Sequence, residues 1–193
     1  QCQSLSIPAM MTSSSHINGT ERCAEVVKSL KENYDLIINI QGDEPFIHPE
    51  SIGELIGLFH RIPQAQIGTL KKRVTCYEDI FNPSIIKVIS NIDHKTIYFS
   101  RGTMPYQRDI LPENYLDHFD YYKHIGMYAY RPDTLSKIVK LKESSLEKSE
   151  KLEQLRWLEN GFDIYIQPTN FESKSIDTRE DYEYILSHLS DYE

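Results

Sequence analysis

Cysteine and long hydrophobic runs are scarce in this chain of 193 residues. Cys2, Cys23 and Cys76 lie far apart and match neither a disulfide framework nor a zinc-binding spacing, which favours a reducing, cytoplasmic location. No apolar run approaches the ~20 residues of a membrane span. The first ten residues lack the charged and apolar regions of a signal peptide. We therefore expect a protein that has no membrane partner.

Basic residues are fewer than acidic ones: the chain has 21 Lys and Arg and 29 Asp and Glu, which gives a formal net charge of −8. This balance argues against nucleic-acid binding, but it allows a small anionic ligand that is held by a few local cations. The chain is 39% hydrophobic and 11% aromatic, too much for a disordered segment. Its length predicts one domain over residues 1–193.

Helical and strand patterns alternate along the chain, which indicates an α/β fold with a parallel or mixed sheet. Apolar runs at 84–90 and 95–101 predict an antiparallel hairpin, inserted within 84–131. Gly161 suits the position just after a helix, and Asp177 and Thr178 are both candidates for a helix N-cap. Helices are predicted at 20–33, 50–62, 132–141, 149–161 and 177–189, and the other strands at 35–40, 65–73, 124–131 and 162–167.

Carboxylates occur at two predicted strand exits. The sequence QGDEP, residues 41–45, directly follows a buried strand, and ligands in open α/β sheets bind beyond the carboxyl ends of strands. Asp43 could therefore hold Mg²⁺ against phosphate oxygens, and Asp177 could converge on the same cation. The alternatives are a polar turn at Asp43 and a helix N-cap at Asp177.

A serine-rich turn that contains glycine, SSSHINGTER at residues 13–22, leads into the first predicted helix. Backbone N–H groups at such a helix start could meet an anion or the edge of a base. Arg22 is poorly placed for the helix dipole, which hints at a contact with a base or a carboxylate. An ordinary capped helix start is the alternative.

Cations recur in or beside the central predicted strands. If Lys87, Arg101, His124 and Arg131 face one side, they form a cationic pocket for a carboxylated substrate. A structural role for the lone histidine is the alternative. Glu153 and Gln154 could border the rim of the same pocket, or they could lie on a solvated helix face.

Taken in order, the segments TSSSHINGTER, LIINIQGDEPFI, HIGMYAYR, LEKSEKLEQLRWLENG and SIDTREDYE resemble the 3-deoxy-manno-octulosonate (Kdo) cytidylyltransferase family, also called CMP-Kdo synthetases. The similarity runs over about residues 11–186. It implies a three-layer, Rossmann-like nucleotidyltransferase fold with a mostly parallel sheet. It also implies that CTP and Kdo are converted to CMP-Kdo and pyrophosphate for lipopolysaccharide biosynthesis.

The resemblance also assigns roles to individual positions. It implies that Asp43 and Asp177 are catalytic ligands of Mg²⁺, and that the enzyme is a homodimer with contacts from the inserted sugar-binding and dimerisation region, 84–131. The implied nucleotide-binding residues are Gly19, Thr20 and Arg22. The implied sugar-pocket residues are Gln41, Arg101, His124, Tyr128, Glu153 and Gln154.

The chain departs from the family pattern in three places. Asn18 stands where serine is more frequent, and Ser175 where glycine is frequent. The strand and the Arg/Ser/Lys-rich phosphate loop that begin the family are not in this chain, so we expect the natural protein to be longer and this chain alone to be weakly active or inactive. Two other functions stay open: a transferase for another acidic sugar, like the CMP-sialic acid synthetases, and a non-catalytic truncated binding module.

Overall fold

The computed structural model describes residues 2–172, 175, 176 and 178–188. Within this part of the chain, no helix is long and apolar enough to cross a membrane. Single 3₁₀ turns occupy Gln3–Leu5 and Pro112–Asn114. The helices are α1 (Gly19–Ser29), α2 (Pro49–Arg61), α3 (Tyr77–Phe81), α4 (Tyr115–His118), α5 (Pro132–Ile138), α6 (Ser145–Glu150), α7 (Gln154–Glu159) and α8 (Arg179–Ser187). The strands are β1 (Ile37–Asn39), β2 (Ile67–Arg73), β3 (Lys87–Ser90), β4 (Thr96–Ser100), β5 (Tyr122–Tyr130) and β6 (Ile164–Pro168).

The strands form one mixed sheet in the order β4-β3-β5-β2-β6, and β1 pairs with the end of β5. Only β2 and β6 run parallel among the described strands, because β5 is antiparallel to β1, β2 and β3. The expected mostly parallel sheet is therefore wrong, whereas the predicted β3–β4 hairpin is confirmed. Alternation of helices and strands orders the elements but does not fix strand direction.

Helices cover both faces of the sheet because side chains along a strand alternate between its faces. On one face, Tyr128 and Tyr130 of β5 pack with Trp157 of α7, and α1 and α5 complete this layer. On the opposite face, Met127 packs with Leu58 of α2. The protein therefore has three layers, and the face that carries Tyr128 also carries the candidate site.

The predicted helix 149–161 is two helices, because Lys151 adopts a left-handed conformation with φ 54° between α6 and α7. Gly161, with φ 78°, follows α7 as predicted. The N–H groups of Gly161 and Phe162 bond the carbonyls of Leu158 and Trp157, which is the Schellman arrangement. Thr178 is the N-cap of α8, and Asp177, the other candidate, lies outside the described residues.

Gly68 on β2 lies directly beneath α2, and we expect Gly68→Ala to lower the free energy of unfolding by about 1–3 kcal/mol, the usual cost of overpacking. A Cβ atom at this position would lie 2.7 Å from Cε2 of the buried Phe59 ring. Urea unfolding measures the change. The matched control is Gly53→Ala on α2, where the added carbon meets no atom of another segment within 4 Å. Equal unfolding midpoints for the two variants would contradict the prediction.

Candidate active site

The carboxyl end of β1 meets the amino end of α1. A Cβ atom on Gly19 would lie 3.4 Å from Nδ2 of Asn39 and 3.6 Å from Oε1 of Gln41. Any larger residue at position 19 would therefore contact both side chains. The structure thus brings the start of α1 against the QGDEP segment, which the sequence placed at a strand exit.

The QGDEP loop turns back over β5. Its turn is closed by the N–H of Glu44, which donates to the carbonyl of Gln41 at 3.3 Å. Oε1 of Glu44 lies 3.2 Å from the position of a Cβ atom on Gly126. Since Gly126 has no side chain, the loop can approach the face of β5 on which His124 and Tyr128 lie.

A second loop, which follows β6, meets the QGDEP loop. The N–H of Ile176 donates to the carbonyl of Asp43 at 2.8 Å, and the Phe171 ring stacks on His48 with centroids 3.9 Å apart. Glu172 pairs with Lys123. Ile176, the residue before Asp177, therefore lies beside Asp43. Asp177 itself lies outside the described residues.

Asp43 is the described carboxylate best suited to a metal ion here, because it is exposed at the loop tip. Among the described residues, no group of three His, Cys, Asp or Glu side chains could hold a metal alone. Mg²⁺ needs no such group, since it commonly uses one or two protein carboxylates and completes its shell with water and phosphate oxygens. Asp43 fits that pattern.

Glu153 bridges α1 and the start of α7. Nδ2 of Asn18 donates to Oε1 of Glu153 at 2.9 Å, and Oγ1 of Thr20 donates to Oε2 at 2.9 Å. Oδ1 of Asn18 also accepts the N–H of Glu21, so Asn18 is the N-cap of α1. Burial raises the pKa of Glu153 to about 7, against the lowering effect of the Thr20 hydrogen bond. Gln154, the next residue, is buried.

Buried polar atoms without a hydrogen-bond partner lie on the same face, near Glu153. They are the hydroxyl of Tyr128 and the indole N–H of Trp157. The Tyr128 and Trp157 rings meet edge to face at 5.1 Å. Burial raises the pKa of both tyrosines, and the nearby charge of Glu153 adds to it.

His124 is a neutral residue in this structure. Its Nε2 lies 2.9 Å from Oγ1 of Thr69, and its ring packs edge-on against Phe99. Burial lowers the pKa of His124 to about 3. The residue therefore adds no positive charge at neutral pH, although the sequence placed it in a cationic cluster.

The other predicted cations bind main-chain carbonyls. Arg101 donates from Nε to the carbonyl of Glu150 at 2.7 Å and from Nη1 to that of Pro83 at 2.9 Å. Lys87 donates to two carbonyls and is fully buried. Arg131 donates to the carbonyl of Asp35, beyond the opposite end of β5 from His124. The four residues therefore do not form one pocket.

Arg22 stabilises the segment before α1. Its guanidinium donates to Oγ1 of Thr12 at 2.7 Å and to the carbonyls of Ser13 and His16, both at 3.2 Å. These contacts explain why a cation is tolerated in the first turn of α1. In this structure, Arg22 does not contact Gly19 or Thr20 through a side-chain hydrogen bond.

The sequence interpretation missed Asn18, Asn39, Glu44 and Gly126 as parts of this site. A glycine inside a strand pattern often marks a close approach by another segment, so Gly126 carried a usable signal. A cavity of about 900 Å³ lies elsewhere in the described part of the structure, between α1 and α5.

Comparison with known proteins decides the family. The family model described as cytidylyltransferase matches residues 1–167. The 3-deoxy-manno-octulosonate cytidylyltransferase of Parabacteroides distasonis is 45% identical over 185 residues, which cover 94% of this chain and 73% of that protein. This chain belongs to the 3-deoxy-manno-octulosonate cytidylyltransferase family. The family member of Cytophaga hutchinsonii is 48% identical over 167 residues, and the match spans 66% of its length.

Solved structures agree with the family. A CMP:2-keto-3-deoxy-manno-octonic acid synthetase complexed with CTP aligns at a TM-score of 0.88 with 33% identity, over 98% of this chain and 75% of that one. The 4-diphosphocytidyl-2C-methyl-D-erythritol synthase of Anaerococcus prevotii aligns at a TM-score of 0.51 with 13% identity, over 86% of this chain and 64% of that one. The latter is similar in fold alone. The chain therefore has the α/β nucleotidyltransferase fold of this cytidylyltransferase family.

Proposed function

We propose that this cytidylyltransferase family member converts CTP and Kdo to CMP-Kdo and pyrophosphate, a reaction that supplies lipopolysaccharide biosynthesis. The observation that carries the proposal is the bridge of Asn18 and Thr20 to Glu153. It joins the segment that the family resemblance assigns to the nucleotide with the segment that it assigns to the sugar. A transferase that couples these two substrates requires that juxtaposition.

The nucleotide is proposed to lie across the start of α1. Gly19 leaves space beside Asn39 and Gln41, and the capped amino end of an eleven-residue helix favours negative charge. Mg²⁺, held by Asp43 and Asp177, would neutralise charge on the triphosphate. Thr20 is buried and bonded to Glu153, so it fixes the position of this segment.

The acidic sugar is proposed to lie over β5 and the start of α7. Tyr128 offers a hydroxyl without a described partner, and neutral His124 offers an imidazole that needs no counter-charge. Gln154 and Glu153 close the opposite side. Arg101 fits this role less well, because its guanidinium donates to the main-chain carbonyls of Glu150 and Pro83.

Residues 84–131 are proposed to serve as a dimerisation region as well as part of the sugar site. β4 lies at the edge of the sheet, and edge strands are readily paired or covered by a partner. Large apolar side chains of this region are exposed in the single chain: Ile92, Ile97, Tyr106, Leu111 and Phe119. A homodimer in the cytoplasm is consistent with this surface and with the scarcity of cysteine.

The test is release of pyrophosphate by the protein as its gene encodes it, supplied with Mg²⁺, CTP and one sugar at a time. Kdo-dependent release that exceeds release with sialic acid is expected. Preference for sialic acid would indicate the other acidic-sugar transferase, and absence of release with every sugar would indicate a binding module. A neutral sugar serves as the control for unspecific hydrolysis of CTP.

A further inference from the structure

The loop after β6 reaches the QGDEP loop past one end of β2 and β5. The N–H of Thr169 donates to a main-chain carbonyl of β2 at 2.8 Å. Shortly after it, the side chain of Glu172 pairs with side chains of β2 and β5. Further along the chain, the N–H of Ile176 donates to the carbonyl of Asp43. The contacts that hold this loop therefore also affect where Asp43 lies.

Glu172 lies between two lysines that oppose each other. Lys72 of β2 and Lys123 of β5 are a cross-strand pair, and like charges in such a pair repel. Oε1 of Glu172 lies 2.6 Å from Nζ of Lys123. Oε2 of Glu172 lies 3.1 Å from Nζ of Lys72. Each carboxylate oxygen therefore contacts one lysine, and the loop is tied to both strands at once.

A second carboxylate contacts Lys123 from α3, because Oδ2 of Asp79 lies 3.4 Å from its Nζ. Burial would raise the pKa of Glu172, but the hydrogen bonds and charges of Lys123 and Lys72 outweigh burial and lower that pKa. Glu172 therefore carries its negative charge at neutral pH. When Glu172 is replaced, Asp79 still faces Lys123, so β5 keeps a counter-charge while the loop loses its tie.

The residue before Glu172 connects this tie to the QGDEP loop. Phe171 stacks on His48, with ring centroids 3.9 Å apart and ring planes 8° from parallel. Nδ1 of His48 accepts the N–H of Glu50, so His48 also caps the start of α2. Asp43 lies in the segment between β1 and His48. Glu172 therefore holds Phe171 beside the segment that carries Asp43.

We infer that Glu172 is a positioning residue for Asp43, an inference that rests on the proposed function. Its pairing with the two lysines holds the loop after β6, and that loop holds the QGDEP loop where Asp43 can bind Mg²⁺. Glu172 acts through the loop and is not itself a metal ligand. Ion pairs between partly exposed side chains add little to global stability, so its loss should act on the metal site more than on thermal melting.

The first measurement needs neither metal ion nor substrate. In Glu172→Gln, the Ile176 amide should exchange its proton with deuterated water about fivefold or more faster than in wild type, because the loop opens locally more often. Nuclear magnetic resonance follows that amide. The Arg131 amide, which bonds the carbonyl of Gln66 at the other end of β5, is the internal reference and should be unchanged.

The second measurement is binding of Mn²⁺ to the CTP-loaded protein as its gene encodes it, followed by electron paramagnetic resonance. Glu172→Gln should bind Mn²⁺ ~10-fold more weakly or worse, because loss of an outer partner of a metal ligand costs about 10–100-fold. The Mg²⁺ concentration that gives half-maximal pyrophosphate release should rise by a similar factor. At saturating Mg²⁺, kcat should stay within about threefold of wild type, since Asp43 is still present.

Glu172→Asp separates a charge tie from a packing role. Aspartate keeps the negative charge on a shorter side chain, whereas glutamine keeps the shape and loses the charge. A charge tie predicts that Glu172→Asp is milder than Glu172→Gln in both measurements, and a packing role predicts the reverse. Lys72→Gln leaves the closer pair with Lys123 and should also be milder. Glu143→Gln, at the exposed pair with Lys148, is the matched control and should behave as wild type.

The outcomes separate this inference from the proposed function. Wild type that releases no pyrophosphate with Kdo contradicts the proposed function, while amide exchange and Mn²⁺ binding still decide the role of Glu172. Normal exchange of the Ile176 amide in Glu172→Gln contradicts the positioning role, and so does faster exchange with unchanged Mn²⁺ affinity. Thermal melting checks that each variant is folded. If Glu172→Gln is not, Glu172→Asp and Lys72→Gln are compared with Glu143→Gln, and equal exchange and equal Mn²⁺ affinity in all three contradict the role.

Discussion

Replacing Arg156 by methionine should lower the free energy of unfolding by about 3–5 kcal/mol, the largest stability effect that we expect from one substitution. Arg156 is 3% exposed and donates to both carboxylate oxygens of Glu147, from Nε at 2.7 Å and from Nη2 at 2.5 Å. Methionine would leave Glu147 buried without its counter-charge. Urea unfolding at pH 7.5 measures the loss through the fluorescence of Trp157, the sole tryptophan.

Two controls identify the cause of that loss. Glu147→Leu combined with Arg156→Met removes both charges, so most of the stability should return. Arg179→Met breaks an exposed pair with Glu183 on α8 and should cost less than about 1 kcal/mol. Equal costs for Arg156→Met and Arg179→Met would show that burial does not govern the pair.

The free energy of unfolding of Arg156→Met should change with pH in a definite direction. An unpaired, buried Glu147 in Arg156→Met has a folded-state pKa that is raised above its unfolded value, because burial penalises its charge. The folded state then binds more protons than the unfolded state does, so the variant regains stability as the pH falls through that raised pKa. The gap between wild type and variant should therefore narrow in mildly acidic buffer.

Local patterns were predicted well from the sequence because their causes lie within a few residues. Pro49 opens α2 at its first turn, and Gly161 supplies the positive φ that follows α7. The hairpin of β3 and β4 was visible as two apolar runs separated by a short polar turn. Each of these features depends on backbone preference or on periodicity, which are readable in a single sequence.

Long-range features were predicted less well. The apolar stripe of Leu152 and Leu155 suggested one continuous helix, yet α6 ends where Glu150 turns to accept hydrogen bonds from Ser100 and from the N–H of Arg101. Strand direction could not be predicted either, because β5 pairs with strands that lie more than thirty residues before it in the chain. Both outcomes depend on tertiary contacts.

The candidate site was also predicted only in part from the sequence. Convergence of the Asp43 and Asp177 segments was predicted from strand exits, and the bond between Ile176 and Asp43 agrees with it for the described residues. The partners of Arg22 and Arg101 could not be predicted, because both side chains bind carbonyls of other segments. A cation in a sequence motif does not reveal whether a ligand or the main chain satisfies it.

Replacing Asp43 by asparagine should lower the affinity of the CTP-loaded enzyme for the metal ion, and with it kcat, by at least ~10²-fold. Loss of an outer partner of a metal ligand already costs 10–100-fold, and loss of the ligand itself should cost more. Binding of Mn²⁺, followed by electron paramagnetic resonance, measures the affinity without turnover. Pyrophosphate release at rising Mg²⁺ measures the catalytic effect.

The asparagine variant isolates the carboxylate from the loop that carries it. The QGDEP loop is held by the carbonyl of Asp43, which accepts from Ile176, and by the His48–Phe171 stack, and neither contact uses the Asp43 side chain. Asparagine therefore keeps the loop in place and removes only the negative charge. Asp163→Asn, at an exposed carboxylate paired with Lys95, is the matched control and should bind Mn²⁺ normally. If Asp43→Asn and Asp163→Asn bind Mn²⁺ equally well, Asp43 is not a metal ligand, and its place beside Ile176 is structural.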